Sequence, residues 1–380
     1  MVIYLAFFAL SLCFIYFYEK TQIKFFMLIG IAFPVILAAL RSDVVGTDVR
    51  VYAEQLFDMA VSSNSFNDFT RMHWYSVWRY KTVSEFEIGY VILVYVCAKL
   101  HSFALLLGFT QFLTLYPISM VLDKYKKRYS GIMTIGLSIY YLLFYNMSLN
   151  MMRQWIAMAM MLLAFQYFKD GSNKYFIITF IIAILFHKTA ILGLFIIMAY
   201  KFLNKKSGTV VLKTIQNTYD LKKILLLCLI LIIFLLTISN KFRLSLINAF
   251  HFSEYATYID GEVTLSLNQL VVDIPIIFLL ISIWKFRKNI VDNYFYVFCI
   301  FSNIFLSQLA SVMAYSSRIS LYISVFKILI VPIYISSMSS KLQKYISLLG
   351  VIMFYLLYWY YTYVINGIDA TVPYVFTSFK

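Results

Sequence analysis

The sequence predicts an all-α protein, a polytopic transmembrane helical bundle of about 11–13 helices. Composition carries this reading first: 62% of the 380 residues are hydrophobic and 13% are charged, against a charged share of roughly a quarter in soluble domains. Length carries it next. Apolar runs approaching the roughly 20 residues that a spanning helix needs recur along almost the whole chain, near 2–18, 24–40, 86–101, 103–122, 131–147, 151–168, 175–187, 189–203, 224–240, 269–284, 293–312, 319–337 and 344–364. Short polar punctuation separates them, so residues 1–380 read as a single integral membrane domain. Met1 to Tyr18 lacks a basic leading stretch and a small-residue cleavage site, so it reads as a retained first helix.

The third observation is the placement of charge. The formal net charge of +15 is dispersed in short clusters between apolar runs, the positive-inside pattern, and no nucleic-acid partner is expected. Lys124, Lys126, Lys127 and Arg128, then Lys169 and Lys174, then Lys201 to Lys223, then Lys285, Arg287 and Lys288, then Lys341 and Lys344 fall on alternate loops. These loops are expected on the cytoplasmic side. The turns at Met151 to Arg153, at His187, at 241–268 and at Tyr315 to Arg318 then face the exterior together. The N-terminal third breaks the parity, because two full crossings between 41–85 and Lys124 would place both on one side. The segment 86–101 is the suspect: it is short and carries Glu87, Gly89 and Lys99. Non-helical or half-length elements survive at membrane depth only where protein or a watery cavity shields them.

Two connections are long enough to hold structure of their own. In 41–85, Val49, Tyr52, Leu56 and Met59 recur at helical spacing, which predicts an amphipathic helix on the membrane surface. Trp74, Tyr75, Trp78 and Tyr80 follow as an aromatic cluster, either an interfacial anchor or a lid. The second is the exterior loop 241–268, where Arg243, Glu254, Tyr255, Tyr258, Asp260 and Glu262 mix charge with rings that suit sugar faces. An ordinary solvated loop has the same composition.

Ionisable groups at or inside membrane helix ends are costly and mark function by default, and four clusters qualify. Arg41, Asp43 and Asp48 surround Gly46 at the end of an apolar run, as a capped loop or as a site. Arg153 and Gln154 open the run to Phe168. A guanidinium at a helix N-terminus either grips a phosphate bidentately or snorkels to the interface. His187 and Lys188 sit tightly between two apolar runs, where an imidazole can accept a hydroxyl proton or merely cap a helix. Arg318 lies among serines at an exterior helix end. There is no Gly-rich phosphate loop and no metal-ligand spacing, and the four cysteines lie inside apolar runs, so neither a cofactor nor a metal is expected.

These same residues resemble the EpsG/Wzy family of polysaccharide polymerases. Arg41 to Asp48 followed by Tyr52 is similar to an R-x-x-x-x-G-T-D signature, Glu87 to Tyr90 to E-x-G-Y, Arg153 to Ala157 to R-Q-x-I-A, and Phe186 to Ala190 to F-H-K-[ST]-A. The motifs occupy about residues 1–200, in order. Residues 200–380 match in hydropathy alone. The resemblance implies a GT-C-like glycosyltransferase of the bacterial cytoplasmic membrane that polymerises undecaprenyl-pyrophosphate-linked repeat units on the extracytoplasmic side. It implies Arg41, Arg153, Arg318 and Lys188 on the pyrophosphate, and His187, Asp43 or Asp48 as base. Gln154, Glu87, Tyr255, Tyr258 and Arg243 are then the sugar contacts. Expected partners are the lipid-linked oligosaccharide, membrane lipid and a chain-length regulator protein. An O-antigen ligase and a lipid-linked oligosaccharide flippase or transporter are the rival readings.

Overall fold

The structure is a computed structural model that describes residues 1–75, 80–203, 267–284, 290–308 and 316–377. The chain enters as α1 (Val2–Thr21) and α2 (Lys24–Ala39), which pack side by side. The following connection holds a π-type turn (Val49–Ala53), α3 (Glu54–Ser62), α4 (Phe66–Arg71) and an antiparallel hairpin of β1 (His73–Tyr75) and β2 (Tyr80–Thr82). Next come α5 (Ile88–Lys99), α6 (Phe103–Tyr125), α7 (Ile132–Leu143), α8 (Tyr145–Asn150), α9 (Met152–Lys169), α10 (Asn173–Phe186) and α11 (Gly193–Leu203). The remaining described helices are α12 (Leu267–Val271), α13 (Ile274–Ser282), α14 (Asn293–Gln308), α15 (Ser316–Ser324), α16 (Lys327–Ser336) and α17 (Lys341–Trp359). The all-α membrane bundle predicted from composition is therefore the fold, with the short hairpin as an addition.

Among the described residues, four stretches are long and apolar enough to cross a membrane: Val2–Thr21, Phe103–Tyr125, Ser317–Ser336 and Lys341–Ile365. Several other runs are broken into shorter pieces. The run 131–147 divides at Phe144 into α7 and α8, and 269–284 divides at Asp273. Hydropathy registers apolar length and not backbone continuity, which is why single helices were expected.

Core α9 explains the order of packing. It is buried on nearly all sides, from Met152 through Gln166, between α6, α8 and α10. A helix apolar all round belongs at the centre of a bundle. Deep inside, Lys327 of α16 pairs with Asp273 at 2.5 Å, and Asn303 of α14 donates to the same carboxylate at 2.9 Å. Both charged groups are fully enclosed. A charge taken out of water survives only with such partners, so this triad fixes α13, α14 and α16 against one another.

The two ends of the bundle differ. At one, Asp123 accepts from Tyr18 and pairs with Lys126, both at 2.6 Å, and Lys169 pairs with Asp292 at 2.5 Å. Glu19 accepts from the backbone N–H of Met133 and the hydroxyl of Thr134. This is the end of the basic clusters. At the other end lie the C-terminus of α2, the N-terminus of α9 and the C-terminus of α10.

Helix α5 does not cross between them. Its 12 residues span about 18 Å, well short of a hydrocarbon core of about 30 Å. Both of its ends meet the 41–85 connection: Phe86 and Tyr90 contact Tyr52, and Lys99 donates to the Ser63 carbonyl at 2.7 Å. The amphipathic stretch before it therefore packs on protein. Val49, Tyr52 and Leu56 are buried, against α5 and its neighbours, where a lipid-facing stripe was expected. Gly89 permits the approach of α5 to α10, since a Cβ there would sit 2.7 Å from the Leu185 carbonyl oxygen. Gly89→Ala is expected to cost about 1–3 kcal/mol, read as a lower thermal midpoint in detergent, and an unchanged midpoint would show that the two helices slide apart freely.

Candidate active site

Four separate sequence clusters converge at the end opposite the paired lysines. Arg41 follows α2 and is 1% exposed. Its Nη2 lies 3.2 Å from the Met152 sulfur, while Nε and Nη1 have no hydrogen-bond partner among the described residues. Tyr4, Tyr90, Tyr145 and Tyr374 are close enough to feel its charge. Three of those hydroxyls are engaged elsewhere: Tyr4 donates to Thr371, Tyr145 to Pro34 and Tyr374 to Leu37, each to a backbone carbonyl. The hydroxyl of Tyr90 is buried without a hydrogen-bond partner among the described residues. Burial pushes the Arg41 guanidinium below its usual pKa, the signature of a charge whose counter-ion is missing.

Arg153, on the first turn of α9, stands on the other side of Tyr90. Its guanidinium lies 4.6 Å from the Phe86 ring centroid, 5.0 Å from Tyr52 and 6.0 Å from Tyr90. It pairs with the carboxylate of Glu87, and its buried Nε has no hydrogen-bond partner among the described residues. Glu87 sits at the position just before α5, and its carboxylate accepts from the Lys188 backbone N–H at 3.2 Å. Burial works against the Glu87 charge, but Arg153, His187 and backbone N–H groups outweigh it and hold the carboxyl below the usual range. Trp74 of the hairpin stacks on Phe86, so the hairpin braces the ring under the guanidinium.

The turn at Gly46 supplies the acid. Gly46 has φ +90°, which favours glycine, and its N–H donates to Ala370. Beyond the turn, the amide oxygen of Asn150 accepts from Thr47 Oγ1 at 2.8 Å and from the Asp48 N–H at 3.0 Å. Asp48 accepts from the Tyr52 hydroxyl at 2.8 Å. Burial raises its carboxyl above the ordinary range, and the Tyr52 hydrogen bond, Arg153 and Arg318 offset only part of that. The amide nitrogen of Asn150 reaches Asp369 at 3.0 Å.

His187 ends α10. Its Nδ1 lies 2.6 Å from Thr189 Oγ1, which in turn lies 2.9 Å from the Tyr322 hydroxyl. Burial first, with Arg153 and Arg318 adding to it and Glu87 opposing, lowers its pKa to about 4. This enclosure favours the neutral ring.

The other expected site residues lie in different surroundings. Asp43, expected as a possible base, faces solvent and pairs with Arg50 at 2.9 Å, because the Gly46 turn sends it outward. Gln154, expected on the sugar, is buried and donates to the Arg318 carbonyl at 2.9 Å, tying α9 to α15. Glu87, also expected on the sugar, is the partner of Arg153. Lys188, expected on the pyrophosphate, has an exposed side chain and contributes its backbone N–H to Glu87. Arg318 is exposed, and its charge acts on both Asp48 and His187. Arg243, Tyr255 and Tyr258 lie within 204–266, outside the described residues, as does all of the loop 241–268 except its last two residues, which open α12. Sequence reasoning held Tyr90 and Thr189 only as members of motifs, gave Asn150 no role and missed Asp369. A tyrosine inside an apolar run gives no signal, whereas Asp369 stood as the one acid after the final run.

The C-terminal segment completes the enclosure. Ser42 N–H donates to Val375 at 2.9 Å and Thr377 N–H to Leu40 at 2.8 Å, and Arg41 and Phe376 form a bridge. Asn146 donates to Thr371 and accepts from Trp359, both at 2.7 Å.

One end of this helical membrane protein gathers two arginines, an acid and hydrogen-bond donors that are unpartnered among the described residues. The EpsG family profile matches residues 24–376, nearly the whole chain, and the protein belongs to that family, which includes Wzy-like polysaccharide polymerases. The match extends through the C-terminal half, where only hydropathy resembled the family. No curated protein and no solved structure matches the chain.

Proposed function

We propose that this protein is a Wzy-type glycosyltransferase that polymerises lipid-pyrophosphate-linked oligosaccharide repeats, undecaprenyl pyrophosphate being the carrier. The observation that carries the reading is a set of buried groups that are unpartnered among the described residues: Arg41 Nε and Nη1, Arg153 Nε and the Tyr90 hydroxyl. All four groups can donate, and three belong to the guanidinium cations of Arg41 and Arg153. A pyrophosphate is the ligand class whose oxygens answer that arrangement.

In the reaction, a hydroxyl oxygen of the incoming repeat attacks the anomeric carbon of the growing chain. The bond from that carbon to the pyrophosphate oxygen breaks, and the leaving group takes the electron pair. Arg41 and Arg153 meet the negative charge as it develops. Asp48 accepts the proton of the attacking hydroxyl, a role supported by its enclosed, raised carboxyl beside Tyr52. Asp43 has no part in it. His187 fixes Thr189 and Tyr322 at the rim.

Charge asymmetry supports an outward-facing site: the paired lysines at the far end follow the positive-inside pattern, which leaves Arg41, Arg153 and Asp48 on the extracytoplasmic face of the cytoplasmic membrane. The test is deletion in the source bacterium followed by analysis of its lipid-linked glycans. Single repeats exposed on the outer leaflet, with the polymer ladder lost, are expected. Single repeats trapped on the inner leaflet would assign a flippase instead, and a full-length polymer retained on its lipid would assign a ligase.

A further inference from the structure

Asp369 lies on the C-terminal return, more than 300 residues from Asp48, yet both reach one side chain. Asn150 accepts from the Asp48 N–H with its oxygen and donates to Asp369 Oδ1 at 3.0 Å with its nitrogen. The Asp369 Oδ2 is buried and, among the described residues, has no hydrogen-bond partner. Its backbone is held in the left-handed region, with φ +66°, and Ala370 follows at +49°. Neither residue is a glycine, so the surrounding contacts hold both against their preference. Those contacts are visible: Gly46 N–H on the Ala370 carbonyl, and Tyr4 and Asn146 on Thr371.

We propose that Asp369 is a positioning residue of the reaction: it fixes the 47–48 turn through Asn150 and sets a second negative charge beside Asp48, which makes Asp48 the stronger base. The inference rests on Asp48 being the base. The groups that face the pair are few. Asp48 meets Tyr52, Asn150, Arg153 and Arg318, and Asp369 meets Asn150 and Tyr363. A like charge disfavours ionisation of its neighbour, and Asp369 acts on Asp48 in that sense. With two arginines nearby pulling the other way, the second carboxylate keeps Asp48 basic enough to take a hydroxyl proton.

The experiment follows chain growth by the full-length protein in lipid vesicles, on lipid-linked repeats extracted from cells that lack it, from about pH 4 to pH 8. Asp369→Asn removes the charge, leaves an oxygen for Asn150 and tolerates the left-handed backbone, so thermal stability should match wild type. Its acid limb should move to lower pH by about half a unit or more, because Asp48 ionises more readily without its neighbour. Growth above the limb should fall as the base weakens. Asp369→Ala, which also releases Asn150, should lose more activity than Asp369→Asn. An unmoved acid limb in Asp369→Asn at wild-type stability overturns the proposal. Asp48→Asn, measured alongside, separates the two readings: wild-type growth there removes Asp48 as base, whatever position 369 does.

Discussion

Methionine in place of Arg41 is expected to abolish chain growth while leaving the protein at least as stable as before. The guanidinium is fully buried, has two unbonded nitrogens and has no carboxylate among its described neighbours. Replacing a buried charge by an apolar side chain of similar length is commonly neutral or stabilising, by about 1–4 kcal/mol. A group kept at that cost works when a ligand arrives, and losing a donor that acts on developing charge lowers a rate by about 10²–10³-fold. Arg41→Lys keeps the charge but not the planar fork and should also lose most activity. The measurement pairs a polysaccharide ladder from a complemented deletion strain with thermal unfolding of the purified variants. A methionine variant that is markedly less stable would make Arg41 a structural residue, and normal ladders from both variants would remove it from the reaction.

Arg153 should respond differently, because it already holds a partner. Its guanidinium is sandwiched near the Phe86 and Tyr52 rings and paired with Glu87. Lys cannot stack as a plane or donate from a fork, so Arg153→Lys is expected to insert and express normally yet make short ladders only. Arg153→Ala should lose roughly 10²–10³-fold of the chain-growth rate. It should also lose stability, since the Glu87 carboxylate is left enclosed without its counter-charge. An interfacial anchor behaves otherwise, because Lys reaches lipid headgroups as well as Arg does. Normal ladders from both variants at normal membrane levels would leave Arg153 as an anchor.

How far the sequence carries depends on range. The helices of the bundle follow from apolar length, and the non-crossing α5 follows from parity and from Glu87, Gly89 and Lys99 within a short run. The breaks at Phe144 and Asp273 do not, because a kink inside apolar sequence leaves hydropathy unchanged. The motif residues Arg41, Asp48, Arg153 and His187 stand out as ionisable groups at apolar boundaries. Their pairing does not: Asp43 and Asp48 are equivalent on paper, and only the Gly46 turn sends one to solvent and the other inward. Asp273 and Lys327 each interrupt an apolar run, a signal that becomes meaningful only when packing brings them to 2.5 Å. The unpaired state of Arg41 lies furthest from reach. It depends on Tyr4, Tyr145 and Tyr374 giving their hydroxyls to other carbonyls, and on a segment more than 300 residues away.

That distance also orders the birth of the molecule. Ser42 and Val375 are hydrogen-bonded neighbours, but the ribosome makes one long before the other, and every intervening helix enters the membrane between the two events. Until residues 369–377 arrive, Arg41 has no Tyr374 beside it, Asn150 has no Asp369 and the Gly46 turn has no Ala370 carbonyl to hold it. A nascent chain can therefore carry its full set of inserted helices and still have no finished reaction chamber. This end of the bundle is therefore closed late, when residues 369–377 join it.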